Sequence, residues 1–489
     1  MNYGVKLMAS LQIITKRKKL KNQSKMRFNK VLYLLLFLFQ SSFAVAQERV
    51  LTIENTIDIV RKFHPVVKQS LLQNEISRKE LMVAKSNFDP TVQISTEEKT
   101  FDNQLYYQYN NSELKIPTWY GLDFKAGLEN NIGVNLDPSL SKYKTSYLGV
   151  SMDPFRGILV DKRKSVVNQA KYFVELTRFE QKLVVNDLIL DASVAYWNWV
   201  NAYYVHELYK KSVVNNKQRF EVVKKAYLSG DRAAIDTTES LMQLQTIEMM
   251  EVQAYIDLQK ARFELSNFFW AQNGLPYSLD NSIVPDKLFI EGDINPIVLD
   301  NLEQTINNSM RFHPKIEMTN QKMSILEIEK RLKTVELFPS LKMNYNLLEK
   351  NYQLPDNWNN NNNYKYGFTL SLPLFQRRAR GELGKTKNKI ENLGWDRKYL
   401  SIEIENKIRS NFAEFTSLKQ QIAFSASSLE ANKTLLDTED MKFKIGESSL
   451  FLINSREMKY LESEQKNISL RAKFYTSIFK NKWAAGTLE

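Results

Sequence analysis

The sequence predicts a mainly α-helical chain with a membrane-type β segment, laid out as two structural repeats. Each repeat runs helix, β-hairpin, long helix, turn and return helix. Three observations predict this. First, a signature is written twice: Phe63-His64-Pro65 has Pro90 25 residues beyond its proline, and Phe312-His313-Pro314 has Pro339 at the same spacing. One offset of 249 also superposes Glu54 on Glu303, Thr56 on Thr305 and Ile57 on Ile306, the mark of an internal repeat. Second, Gly and Pro number only 15 and 12 in 489 residues, which suits long uninterrupted helices. Third, the apolar period switches from helical to strict alternation at the same place in each half.

Taken in order, Met26-Arg27-Phe28-Asn29-Lys30 is a short basic region, and Val31 to Phe39 is an apolar run too short to span a bilayer. Ala44-Val45-Ala46 before Gln47 has the small-x-small cleavage form. Residues 1–46 are therefore expected to be an export signal, cut between Ala46 and Gln47, with 1–25 an over-extended start. They hold nine Lys or Arg and no acid, so the net charge of +13 falls to +4 for the rest. That near balance removes the electrostatic support for nucleic-acid binding. Cysteine is absent, which excludes disulfides, thiolate metal sites and a cysteine nucleophile.

The first repeat is expected over 47–274. A short helix ends near Phe63; Pro65 opens a second, since proline at the first helical position loses no hydrogen bond; and Asp89-Pro90 stops it. Strands follow within 91–153, where Leu122, Phe124, Ala126 and Leu128, then Leu148, Val150 and Met152, alternate with mostly polar neighbours. Long helices are expected over 157–228 and 232–272, and residues 275–300 as an irregular link. The second repeat, 301–489, carries strands within 340–373 and long helices over 377–445 and 449–485. In its hairpin Leu341, Met343, Tyr345 and Leu347 alternate with polar neighbours, and after an asparagine run ending at Asn363 so do Tyr366, Phe368, Leu370 and Leu372. Alternating strands of about ten residues are the weak mark of a membrane barrel. A soluble hairpin packed on a core is the better reading of either one alone; the export signal and the helices that follow tilt the balance toward the barrel.

No proline interrupts the spans Pro154–Gly230 or Pro373–Gly446, 76 and 73 residues. An apolar residue recurs every seventh position at Ile408, Phe415, Ile422, Leu429, Leu436 and Phe443, and at Leu176, Leu183, Leu190, Trp197 and Tyr204. That period implies left-handed supercoiling against neighbouring helices.

In this order and spacing, the paired Phe-His-Pro helices, the Ser371–Phe375 junction (SLPLF), its counterpart Asp153-Pro154-Phe155 and the glycine turns resemble the TolC family of outer-membrane efflux and secretion channels. The resemblance covers nearly all of the chain after the signal. It implies a homotrimeric α-helical barrel continuous with a shared transmembrane β-barrel, each protomer giving four strands to a 12-stranded whole. It also implies outer-membrane lipid around that barrel, a long periplasmic extension, and docking to a membrane-fusion adaptor joined to an inner-membrane pump. One departure concerns the first hairpin segment: Pro90 to Pro154 spans 64 residues against 34 from Pro339 to Pro373, leaving thirty residues as extra loop or extra strand.

The resemblance places adaptor docking at the tip turns Leu228-Ser229-Gly230-Asp231 and Ile445-Gly446-Glu447. Helix reversal by a left-handed glycine is a full structural account of the same residues. Asp236, six residues after Gly230, matches the family's acidic position inside the tip and is the candidate periplasmic gate. A threefold ring of carboxylates attracts cations, although a first-turn Asp is also favoured by the helix dipole alone. The second turn departs, with Leu452 at that position and Asn454 the nearest polar residue. No cofactor or metal is expected: His64, His206 and His313 have no ligand spacing, and no phosphate-binding glycine loop is present. The function expected is a passive conduit in a tripartite efflux pump or type I secretion system, without catalysis. The competing class is a periplasmic coiled-coil scaffold, which has no use for hairpins with an apolar face. The exported substrate is not written in these residues.

Overall fold

The computed structural model describes residues 49–354 and 363–488. The signal segment, the Ala46–Gln47 cleavage and most of the asparagine run lie outside the described residues. Within 275–300 the link is not wholly irregular. β6 (Ile283–Pro285) pairs in parallel with β1 (Arg49–Leu51) as a small separate unit, Arg49 against Ile283 and Leu51 against Pro285.

The larger unit explains the doubled signature. Helix Ile53–Phe63 stops at Phe63, His64 is extended (φ −64°, ψ 133°), and helix Pro65–Lys85 restarts. Helix Leu302–Phe312 and helix Pro314–Val335 repeat this around His313 (φ −62°, ψ 127°). Each histidine is an N-cap: His64 Nδ1 accepts from the Val66 N–H at 3.3 Å and His313 Nδ1 from the Lys315 N–H at 3.1 Å. Proline follows because its missing N–H is not needed there. Burial and the neighbouring Lys315 push the His313 imidazole down to about 4, against an ordinary value of 6.5. The folded chain therefore holds a neutral ring, and the stability this represents is present above pH 6.5 and lost as pH falls toward 4. Linkage makes that loss on the order of 3 kcal/mol. Thermal midpoints at pH 7.5 and 4.5 check it: His313→Asn, which keeps a capping acceptor, is expected to flatten the slope, and an unchanged slope rules His313 out as its source.

β2 (Thr91–Phe101), β3 (Gln104–Pro117), β4 (Leu122–Ile132) and β5 (Tyr143–Met152) precede the first arm; β7 (Ser340–Lys350) and β8 (Tyr364–Ser371) precede the second. They form one antiparallel sheet in the order β2-β3-β4-β5-β7-β8. The four strands per protomer that the resemblance implies are thus corrected to six. The thirty extra residues supply two further strands; Gln104–Pro117, with Tyr106, Tyr107 and Tyr109, pairs on both sides.

The first arm, Lys162–Leu228, begins later than 157 because Pro154–Leu159 makes a wide π turn; Asp161 then caps the arm, accepting from the Arg163 N–H at 2.6 Å. Its return helix is Ala234–Ser266. The second arm, Arg377–Lys444, returns as Leu450–Ala484. Arms of 67 and 68 residues reach about 100 Å each. Near the sheet the helices lie side by side in the order 65–85, first arm, 314–335, second arm, the same sense as the strands. Away from it, the return helix Leu450–Ala484 packs on both arms. Phe415, Leu418 and Ile422 meet Leu470 and Phe474 in the second hairpin's core.

Candidate functional site

Register places every second residue of the sheet in one of two chemically opposite faces. Ile116, Phe124, Val150, Tyr345 and Tyr366 form one unbroken row across five strands, and Val92, Leu114, Ala126, Leu148 and Leu347 form the next. On the other face Lys115, Lys125, Gly149, Asn346 and Lys365 form a row. The apolar face is the open one: Phe124 is 50% exposed, Tyr345 41% and Ile94 75%. The polar face is crowded, as the concave side of a curled sheet must be: Tyr147 is 4% exposed and Asn131 2%. There Lys115 pairs with Asp123 at 3.1 Å, Lys125 with Glu113 at 3.6 Å, and the Tyr147 hydroxyl donates to Glu113 at 2.8 Å. The Tyr147 ring lies over Gly127, where an added Cβ would come within 2.2 Å of it. A water-soluble sheet buries its apolar face; this one exposes it and turns its charges inward.

At the far end of the arms, both turns are built alike. Gly230 and Gly446 have φ of +81° and +82°, with open space where a side chain would stand, so backbone conformation alone demands glycine. The Asp231 N–H donates to Ala226 O, and the Glu447 N–H to Lys442 O, both at 2.9 Å, closing Schellman motifs. Leu228, Ile235, Ile445 and Phe451 project into solvent, each at least 69% exposed. Asp236 stands in the first turn of its helix and faces Arg232 at 3.7 Å. The Arg232 guanidinium in turn sits 4.4 Å from the Phe443 ring, so it touches both hairpins. Val223, Phe443, Leu450 and Ile453 form a small shared core behind the turns.

About three helical turns from the two glycines lies a group that sequence reasoning did not single out. Arg219 of the first arm pairs with Glu457 of the second return helix at 2.6 Å, their side chains 13% and 5% exposed. Asn216 Nδ2 donates to Glu457 at 2.9 Å, and Asn454 accepts from Arg219 at 3.4 Å. A signal existed: Glu457 falls seven residues after the buried Leu450, a carboxylate in an apolar stripe. His206 Nε2 meets Glu251 at 3.1 Å and joins the first arm to its return helix. Among the described residues no cluster of His, Cys, Asp or Glu could hold a metal ion.

A two-faced sheet with two open edges, set on a row of long helical hairpins, defines a class: the chain has the fold of the TolC-family outer-membrane channels. The open-state MtrE channel of Neisseria gonorrhoeae superposes with a TM-score of 0.67 at 13% identity, covering 89% of this chain and 89% of that one. The CmeC outer-membrane channel of Campylobacter jejuni matches at 0.62 and 13%, covering 89% and 87%; VceC of Vibrio cholerae matches at 0.63 and 11%, covering 89% and 96%. At these identities the likeness is one of fold. No family model matches the chain, and no curated protein matches it.

Proposed function

We propose that the chain is the outer-membrane channel of a tripartite efflux pump or type I secretion system, a passive homotrimeric conduit across the outer membrane and periplasm. The observation that carries this is the sheet. Its exposed apolar face suits lipid, its ion-paired concave face suits a water-filled lumen, and its edges β2 and β8 have no partner strand among the described residues. Open edges in hydrocarbon are not viable, so the sheet must close with copies of itself. Three copies of six strands make an 18-stranded barrel, wide enough for an aqueous channel. A periplasmic scaffold leaves the sheet unexplained.

The arms extend the duct, and the tip turns Leu228–Asp231 and Ile445–Glu447 dock the adaptor through their exposed apolar side chains. Asp236 enters the tip as the partner of Arg232, so its ring is one of ion pairs rather than bare carboxylates. The reading is tested in planar bilayers with the purified trimer. Discrete conductance steps, with divalent-cation block weakened by Asp236→Ala, are the expected result. Release of the protein by osmotic shock, with no conductance, sinks the channel. Equal block in wild type and variant removes Asp236 from the gate.

A further inference from the structure

The mature chain's charge is not spread evenly. Three segments where the sheet meets the helices, 156–164, 330–336 and 377–389, hold thirteen Lys or Arg and three acids, while the chain from Gln47 carries only +4. These segments converge on an open cavity of about 610 Å³ whose wall includes Arg156, Lys162, Lys333, Arg377 and Arg378 with a single carboxylate, Glu336.

One of the cations is already ion-paired, and a second stacks on a ring, a contact that neither neutralises its charge nor uses its N–H donors. Lys333 pairs with Glu336 at 3.1 Å, and Arg377 lies over the Phe375 ring at 5.3 Å. Lys162 and Arg378 make no ion pair among the described residues. Arg156 donates from Nη2 to the carbonyls of Glu336 and Phe338 at 3.3 and 3.0 Å, while its buried Nε has no acceptor. The second arm also begins here without a side-chain cap, because Gln376 is left-handed and spends its amide on Leu337 O at 3.1 Å. Its first N–H groups and the helix dipole add to the positive field.

The cavity sits where the apolar face of the sheet ends. Met152, Leu341 and Leu370 are its last residues on this side, and Arg156 and Pro373 follow within four residues. Around it Ile158, Leu159, Leu374 and Phe375 are exposed, Leu374 at 89%. A cationic cavity beside an apolar collar, at the rim of a lipid-facing band, matches a phosphodiester headgroup with acyl chains attached.

We infer that this junction binds the phosphate of an anionic phospholipid in the periplasmic leaflet, with Lys162, Arg377 and Arg378 as its principal ligands. The inference rests on the membrane reading above. Binding pins the barrel at a set depth and neutralises cations that crowd together in each protomer.

The test uses the full-length trimer in detergent, titrated with phosphatidylglycerol, phosphatidylcholine or inorganic phosphate while thermal stability is followed. Phosphatidylglycerol is expected to stabilise it at far lower concentration than phosphatidylcholine. The double variant Arg377→Gln/Arg378→Gln is expected to weaken that response about thirtyfold. Lys387→Gln/Lys389→Gln, which removes equal charge from the arm outside the cavity, is expected to leave it intact. Equal losses in both variants, or equal stabilisation by inorganic phosphate, overturn a lipid site here. Conductance of the same preparations separates this outcome from failure of the channel reading, because a variant that conducts but ignores phosphatidylglycerol leaves the channel standing.

Discussion

Replacing Glu457 with Ala is expected to raise single-channel conductance several-fold and to lower thermal stability at once. The first arm and the second return helix are joined near the tip by Arg219 and Glu457, which are buried and tied to Asn216 and Asn454. Removing one partner strands the other: a buried guanidinium without its carboxylate costs about 3–5 kcal/mol. In an ordinary core that penalty appears as unfolding. Here a local escape exists, because swinging the second hairpin away from the first arm returns Arg219 to water, at the loss of the small core around Val223, Phe443 and Ile453. The variant should therefore populate an open tip. Replacing both residues with Met restores an apolar contact of similar volume and is expected to restore the low conductance, since buried ion pairs are often exchanged for apolar groups without loss. Destabilisation without any change in conductance would show that the pair only holds the fold together.

This pair also marks where the sequence stopped being legible. The repeat, the two arms and the glycine turns could be read because each is periodic or rests on one residue's backbone preference. The Phe-His-Pro signature was readable as a break between helices, but the capping role of His64 and His313 needed ring orientation. Strand count was not readable: Gln104–Pro117 contains Tyr106, Tyr107 and Tyr109 on both faces, so its alternation is blurred until β2 and β4 flank it. The partnership of Arg219 with Glu457 spans 238 residues: the apolar stripe around Glu457 marks it as a buried carboxylate, but nothing local names Arg219 as its partner. Asp236 was legible as a residue close after the first glycine turn, but its pairing with Arg232, four residues earlier, was not singled out.

The proposed trimer is expected to be lost when Leu72 and Trp395 are both changed to Glu. Helix Pro65–Lys85 and the second arm are the two outer members of the helix row, just as β2 and β8 are the outer strands. Each presents an apolar stripe at helical spacing that nothing among the described residues covers. Leu72, Ile76 and Val83 are 62%, 49% and 69% exposed, and Trp395, Tyr399 and Ile402 are 62%, 70% and 61%. Stripes on both edges of one protomer match a head-to-tail contact that closes into a ring, in which the edge of one copy meets the opposite edge of the next. Full burial of each such side chain is worth about 1.5–3 kcal/mol, and the ring repeats the contact in every copy. A carboxylate in each stripe forfeits that burial and adds like-charge repulsion across the contact. Native mass spectrometry or a heat-modifiable gel should show monomer for the double variant and trimer for Phe424→Glu, a control on an arm residue 77% exposed. A stable trimer in the Leu72/Trp395 variant would mean that the strands alone hold the ring and that these stripes face lipid or another partner.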